Sequence, residues 1–128
     1  MNRREQRIKA MQLLYNADFN NITIEEAIKN VSEENKNSDI MNFLNMVNSN
    51  IDKIDELINK SIINYSLDRL NMVDKAIIRL AVAEMLSGTD KKVAINEALE
   101  ITKEFSDQGD HKATSFNNKL LDNISKNI

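Results

Sequence analysis

Three guanidiniums near the start of the chain are the side chains best placed to do chemistry, and the chemistry open to them is the holding of phosphates. Arg3, Arg4 and Arg7, with Lys9, stand against Glu5 alone in the first ten residues, a local charge of +3 in a 128-residue chain of net charge −3. The remainder must carry −6, so positive charge is gathered at one end, as an arm for an anionic polymer would have it. On a helix the three arginines fall on or beside the side that carries Ile8 and Met11 one to two turns later. A core does not accept three unpaired guanidiniums. The first turns are therefore expected to overhang the packed body, or to stay frayed until an anion arrives, as in an RNA-contacting arm.

Catalysis has little to work with. One His, no Cys, no glycine-rich phosphate loop and no Glu-x-x-His pair leave nucleophilic, dinucleotide and di-metal chemistry without their parts. The expectation is no enzyme, no cofactor and no metal. His111 reads as a solvated side chain in a polar loop. Glu97, Glu100 and Glu104 share a helix face at metal-compatible spacing, yet no partner helix offers matching ligands, so they read as a solvated face. Arg79, on an otherwise apolar helix, is expected to reach the surface or to pair with a carboxylate of another helix.

The elements that position these groups are helical. No Cys, no Trp, no Pro, two Gly and 29% charged residues point to one largely helical domain in a reduced compartment, the cytoplasm by expectation. No run approaches 18 apolar residues and the first residues are charged, so neither a membrane span nor a secretion signal is indicated. The centre is residues 71–86. Asn71 can cap a helix there, Asp74 lies in its first turn and Gly88 just beyond its end. Its apolar residues cover nearly the whole circumference, interrupted only by Asp74, Lys75, Arg79 and Glu84. A helix of that kind is buried by its neighbours.

Those neighbours follow in order. Residues 3–19 form a first helix with Ile8, Met11, Tyr15 and Phe19 in one apolar arc and Leu14 beside it. Thr23-Ile24-Glu25-Glu26 is a capping box opening a short helix, and residues 33–39 are a loop with Ser38 as the next cap. From Ile40 to Ile62 a one-sided stripe runs on, broken at Asn48-Ser49-Asn50 into two helices or a kink. Residues 65–70 link into the central helix. Thr89 or Asp90 caps a helix over 93–105 whose inner side is Ala94, Ile95, Ala98, Ile101, Thr102 and Phe105. Residues 106–115 read as a loop, and Phe116, Leu120, Leu121, Ile124 and Ile128 give the last helix its buried stripe. The result is an all-α bundle of six to seven helices.

These residues also carry a likeness. Arg3-Arg4-x-x-Arg7-x-x-Ala10-x-Gln12-x-Leu14-Tyr15, the segment from Tyr65-Ser66-Leu67-Asp68-Arg69-Leu70 through Asp74-Lys75-Ala76-Ile77-Ile78-Arg79-Leu80-Ala81, and Val93-Ala94-Ile95-Asn96-Glu97-Ala98-Leu99-Glu100-Ile101 together resemble the transcription antitermination factor NusB family, and the likeness continues through Phe116 to Asp122. It implies two three-helix-type subdomains, about 1–66 and 67–128, and no catalysis. It further implies binding of the boxA element of nascent ribosomal RNA leaders together with a small-subunit ribosomal protein, in a complex with other Nus factors and RNA polymerase. The family's arginine arm falls on Arg3, Arg4 and Arg7. Its Phe-Val-Asn-Gly-Val-Leu stretch, which lies beside RNA, falls on Phe116, Asn117, Asn118, Lys119, Leu120 and Leu121, making Phe116, Asn118 and Lys119 the RNA candidates there. The partner protein's surface around the central helix points to Arg79 and Glu84.

Single-stranded RNA needs cations for its phosphates, a planar face for an unstacked base and amides for base edges. The two ends of the chain supply these together if Arg7 and Phe116 share one solvent-facing patch, which is the expectation. This sequence departs from the family's pattern at Tyr65 and Ala83, lacks a Pro before Val93, has Asn117 and Lys119 where Val and Gly are usual, and carries a longer loop over 106–115. A helical interaction module that has lost RNA binding, and an RNA-binding subunit of a ribosomal-RNA methylation system, are the rival readings. A monomer or weak homodimer is expected.

Overall fold

The computed structural model describes residues 1–63 and 66–128, so Tyr65 lies outside the described residues. Among them there are seven α-helices, two 3-10 turns and no strand. The helices are α1 (Arg3–Phe19), α2 (Ile24–Lys29), α3 (Ser38–Ser49), α4 (Ile51–Ser61), α5 (Met72–Leu86), α6 (Lys91–Phe105) and α7 (Lys112–Ser125).

The local signals act through named atoms. The Thr23 hydroxyl accepts from Glu26 N–H at 3.1 Å and opens α2, as the capping box predicts. Asn50 breaks the long stripe into α3 and α4. The cap of α3 is Asn37 rather than the expected Ser38, its side-chain oxygen accepting from Asp39 and Ile40 N–H. Asn71 accepts from Asp74 N–H at 2.8 Å to start α5. At the far end Gly88 takes a φ of +99°, while Thr89 N–H returns to the Glu84 carbonyl and Gly88 N–H to that of Met85. That is a Schellman closure, which needs a residue free of the Cβ penalty at positive φ. Asp90, one of the two caps expected, opens α6, which starts at Lys91, two residues before the periodicity indicates.

α5 is the axle. It packs against α1, α3, α4, α6 and α7, and its Ile78 and Val82 are wholly enclosed. Each of its four charged residues meets another element. Asp74 reaches Ser106 and Asn117, Lys75 lies 3.2 Å from Asp18 of α1, Arg79 makes two bonds to Asp55 of α4, and Glu84 meets Arg7 of α1. Arg79 thus satisfies the expectation of a carboxylate partner on another helix.

Two apolar arcs are rotated from their expected positions. In α1 the residues turned inward are Ala10, Met11, Leu14 and Ala17, while Phe19 is 64% exposed and its ring stands 6.0 Å from Tyr15. Small alanines let α1 approach its neighbours closely, and the large aromatics are left at the edge. In α7 Phe116 is exposed, as is Ile128 beyond its end, and Asn117 takes the inward position beside Leu120, Leu121 and Ile124. Packing against α5 and α6 decides this, and hydrophobicity does not rank it.

Replacing Ile78 by Ala should lower stability by about 2–5 kcal/mol, since a rigidly enclosed site cannot collapse onto the cavity. Phe19→Ala should cost far less. Urea unfolding midpoints compare the two directly.

Candidate nucleic-acid interface

α1 begins with Asn2, whose side-chain oxygen accepts from Glu5 N–H at 2.9 Å, so the first turn is ordered from its first residue. One turn apart on that helix, Arg3 and Arg7 bear on the same ring. Their guanidinium carbons lie 4.2 and 5.6 Å from the centroid of Phe43 in α3, within the reach of a cation–π contact. Arg3 also lies 3.8 Å from Asp39, which accepts from Gln6.

Arg7 turns inward. Its Nε donates to both Glu84 oxygens at 3.1 and 2.9 Å, its Nη2 to Glu84 Oε1 at 2.9 Å and its Nη1 to Glu97 Oε1 at 3.3 Å. Arg4 forks onto Glu97 through Nε at 3.1 Å and Nη2 at 2.7 Å. Two guanidiniums and two carboxylates thus form a neutral cluster joining α1, α5 and α6. The hydrogen bonds from Arg4 hold the Glu97 carboxyl below its ordinary range, and Glu97 in turn raises Arg4.

The expectation of unpaired, overhanging arginines is corrected here. Arg7 has a side chain only 7% exposed and belongs to the fold, whereas Arg3 and Arg4 remain half exposed at 49% each. Glu84, expected on a partner-facing surface, is 1% exposed and fully engaged by Arg7, so it faces no solvent. Glu97 is likewise not a solvated side chain. Among the described residues no cluster of three or more His, Cys, Asp or Glu could hold a metal ion.

At the other end, α7 starts at Lys112, four residues before Phe116, and the expected loop is correspondingly shorter. Asp107 makes this possible. Its Oδ1 accepts from Gly109 and His111 N–H at 2.9 and 3.1 Å and its Oδ2 from the Thr114 hydroxyl. Polar Lys112 to Ser115 show no apolar period, so this first turn leaves no trace in the hydrophobic pattern.

Asn117 is the residue whose role the sequence concealed. It is 0% exposed, and its Nδ2 donates to Asp74 Oδ1 at 3.0 Å and to Thr102 Oγ1 at 3.1 Å. Ser106 Oγ donates to the same Asp74 oxygen at 2.7 Å. One amide therefore ties α5, α6 and α7 together, and with Asn117 turned inward, Phe116, Asn118 and Lys119 face solvent. The only sequence signal was a polar residue standing where the family has Val.

The two candidate groups are not one patch. The neighbours of α1 are chiefly α2, α3 and α5, and those of α7 are α4, α5 and α6, with α5 between. Arg7 sits at Glu84 and the α7 start at Asp74, ten residues apart along α5, or about 15 Å of helix rise. With Arg7 buried, the expected solvent-facing patch of Arg7 and Phe116 does not form. Arg3 and Arg4 make one exposed station, and Phe116, Asn118 and Lys119 make a second.

Comparison with known proteins places this arrangement. A model of the NusB family matches residues 4–126. The chain is 41% identical over 131 residues to the transcription antitermination protein NusB of Bacillus subtilis, covering 100% of this chain and 98% of that one. It is 43% identical over 136 residues to the protein of the same name from Clostridium botulinum, covering 98% and 99%. Among solved structures it matches T. maritima NusB with a TM-score of 0.83 at 28% identity, covering 98% and 92%. It also matches a chain in the crystal structure of antitermination factors NusB and NusE in complex with dsRNA, with a TM-score of 0.77 at 29% identity, covering 98% and 97%.

Glu84→Ala strands the enclosed Arg7 charge and should cost about 3–5 kcal/mol, whereas Arg4→Ala, which loses a half-exposed pair, should cost far less; chemical denaturation separates them. The Asp107 carboxyl is held down to about 2, chiefly by the Thr114 hydroxyl and then by the Gly109 and His111 amides. A depressed carboxyl stabilises the fold above its unfolded value and loses that contribution as pH falls. Protection of the Gly109 and His111 amides, measured as exchange relative to the intrinsic rate at each pH, should therefore be high above about pH 4 and fall between about pH 4 and about 2.

Proposed function

The chain belongs to the NusB family, and from that premise we propose that it is a transcription antitermination factor that binds boxA-like single-stranded RNA of ribosomal RNA leaders together with a small-subunit ribosomal protein. The observation that carries the reading is the pair Arg3 and Arg4, half exposed at an ordered helix start and held in place by Phe43 and Glu97. Guanidiniums fixed in this way meet phosphates with little ordering cost. Phe116, Asn118 and Lys119 supply a ring, an amide and a further cation on a second exposed face. Arg7 supports the arm from within and touches no RNA.

The protein acts by binding and not by catalysis, in the cytoplasm, as a monomer or weak homodimer. No helix among the described residues is long and apolar enough to cross a membrane. Residues 1–66 and 67–128 serve as two subdomains of one domain, meeting at α5. For the ribosomal partner we place the docking face on the groove of about 400 Å³ lined by Met11, Gln12, Tyr15, Asn16, Val73 and Phe105, where the exposed ring of Phe105 stands beside the half-buried Tyr15 and Val73. Arg79, beside a smaller cleft with Lys75 and Asp18, borders the same helices. Other Nus factors and RNA polymerase complete the assembly.

Titration of labelled boxA-like RNA and a scrambled control, with and without the ribosomal protein, tests the reading. Preference for the boxA-like strand, tightened by the partner, is expected. Equal affinity for both strands in both conditions overturns it in favour of an interaction module without RNA recognition. With about 3–5 phosphates neutralised, the slope of log affinity against log salt should be about −2 to −3.5. Replacing Arg3 and Arg4 together by Ala should flatten it by about 1 to 1.5 while the melting temperature barely moves.

A further inference from the structure

Two residues of α3, Asp39 and Phe43, lie one helical turn apart and both bear on Arg3. The guanidinium rests 4.2 Å from the centroid of the ring, with Nη1 3.8 Å from Asp39 Oδ1. A ring face attracts the charge and uses none of its N–H donors, and 3.8 Å is too long for a hydrogen bond. Among the described residues, therefore, no hydrogen bond engages the donors of Arg3. Asp39 itself is fixed. Gln6, only 7% exposed, donates from Nε2 to Asp39 Oδ2 at 3.1 Å, and Asn37 accepts Asp39 N–H at 2.8 Å. One carboxylate oxygen is thus tied to an amide, and the other is turned to the arm.

Arg4 is in a different state. Its Nε and Nη2 fork onto Glu97, whose Oε1 also accepts from Arg7, so releasing that pair would disturb the buried cluster. Releasing Arg3 disturbs nothing enclosed. Asp39 keeps its bond from Gln6, and because its side chain is half exposed, water meets the freed oxygen. We infer that Asp39 is an internal competitor for Arg3: its carboxylate holds the place that an RNA phosphate takes, and binding exchanges one oxyanion for the other on the same guanidinium. The inference rests on the RNA reading above and adds to it a residue that sets affinity. Phe43 keeps Arg3 in position throughout the exchange, so the carboxylate supplies opposition and not order. Phosphates carry no sequence. A standing counter-ion therefore weakens attraction to every polyanion, and strands that make no further contacts are the first to be lost.

The test uses the full chain with the ribosomal partner and labelled single-stranded RNAs, boxA-like and scrambled, in anisotropy titrations. Asp39→Asn keeps an acceptor for Gln6 and removes the charge. It should tighten both RNAs about two- to fivefold, leave the ratio between them unchanged, and give no gain in an Arg3→Ala background. Its melting temperature should stay close to that of the unsubstituted chain. A gain that persists without Arg3 would make Asp39 one part of a general field, and an unchanged or weakened affinity would make it a support for Arg3. Either result overturns the competitor while the RNA reading stands. If Arg3→Ala by itself weakens neither RNA, the arm holds no phosphate at that position, and the reading beneath the inference fails there with it.

Discussion

The fold turns on a buried ion pair between helices far apart in the chain. Arg7 and Glu84, 77 residues apart, meet with side chains 7% and 2% exposed. Desolvating two such charges is costly, and only near-complete hydrogen bonding offsets it. Glu84 receives three bonds from one guanidinium, whose remaining nitrogen reaches Glu97. The gain is chiefly in uniqueness. A central helix that is apolar nearly all round gives its neighbours no preferred rotation, and hydrophobic packing tolerates several. α5 instead carries four charged side chains whose partners lie on α1, α4 and α7, and together they fix its rotation and its height.

From that constraint the exposed chemistry is arranged. With Arg7 held inside, Arg4 falls where Glu97 can fork with it and Arg3 falls over Phe43, so the basic arm is a continuation of the core. At the other end Asn117, joined to Asp74 and Thr102, does for α7 what Arg7 does for α1. The two exposed stations are anchored ten residues apart along one axle. A strand engaging both binds its second contact at high effective concentration, and a short peptide or mononucleotide reaches only one.

Much of this was legible in the residues. The central helix announced itself through Asn71, its apolar circumference and Gly88. The Asn48-Ser49-Asn50 break and the Thr23 cap were equally local, and local signals survive tertiary packing. What could not be read was long-range. Nothing near Arg7 reveals a carboxylate 77 residues away, so pairing within the fold was mistaken for availability to an anion. Periodicity ranks residues by hydrophobicity, and therefore placed Phe19 and Phe116 inside where the close approach of helices selected Ala17 and Asn117. The start of α7 was hidden because Asp107 and Thr114 build it from polar atoms.

Phe43 has a position unlike any other aromatic among the described residues. It is wholly enclosed, yet a half-exposed guanidinium and a buried one both rest on its ring. Interior and rim therefore share one side chain, and drift in the first is inherited by the second. A lineage that trimmed this ring to an aliphatic residue could recover its lost density by enlarging neighbours, but no such repair would restore the platform that aims Arg3.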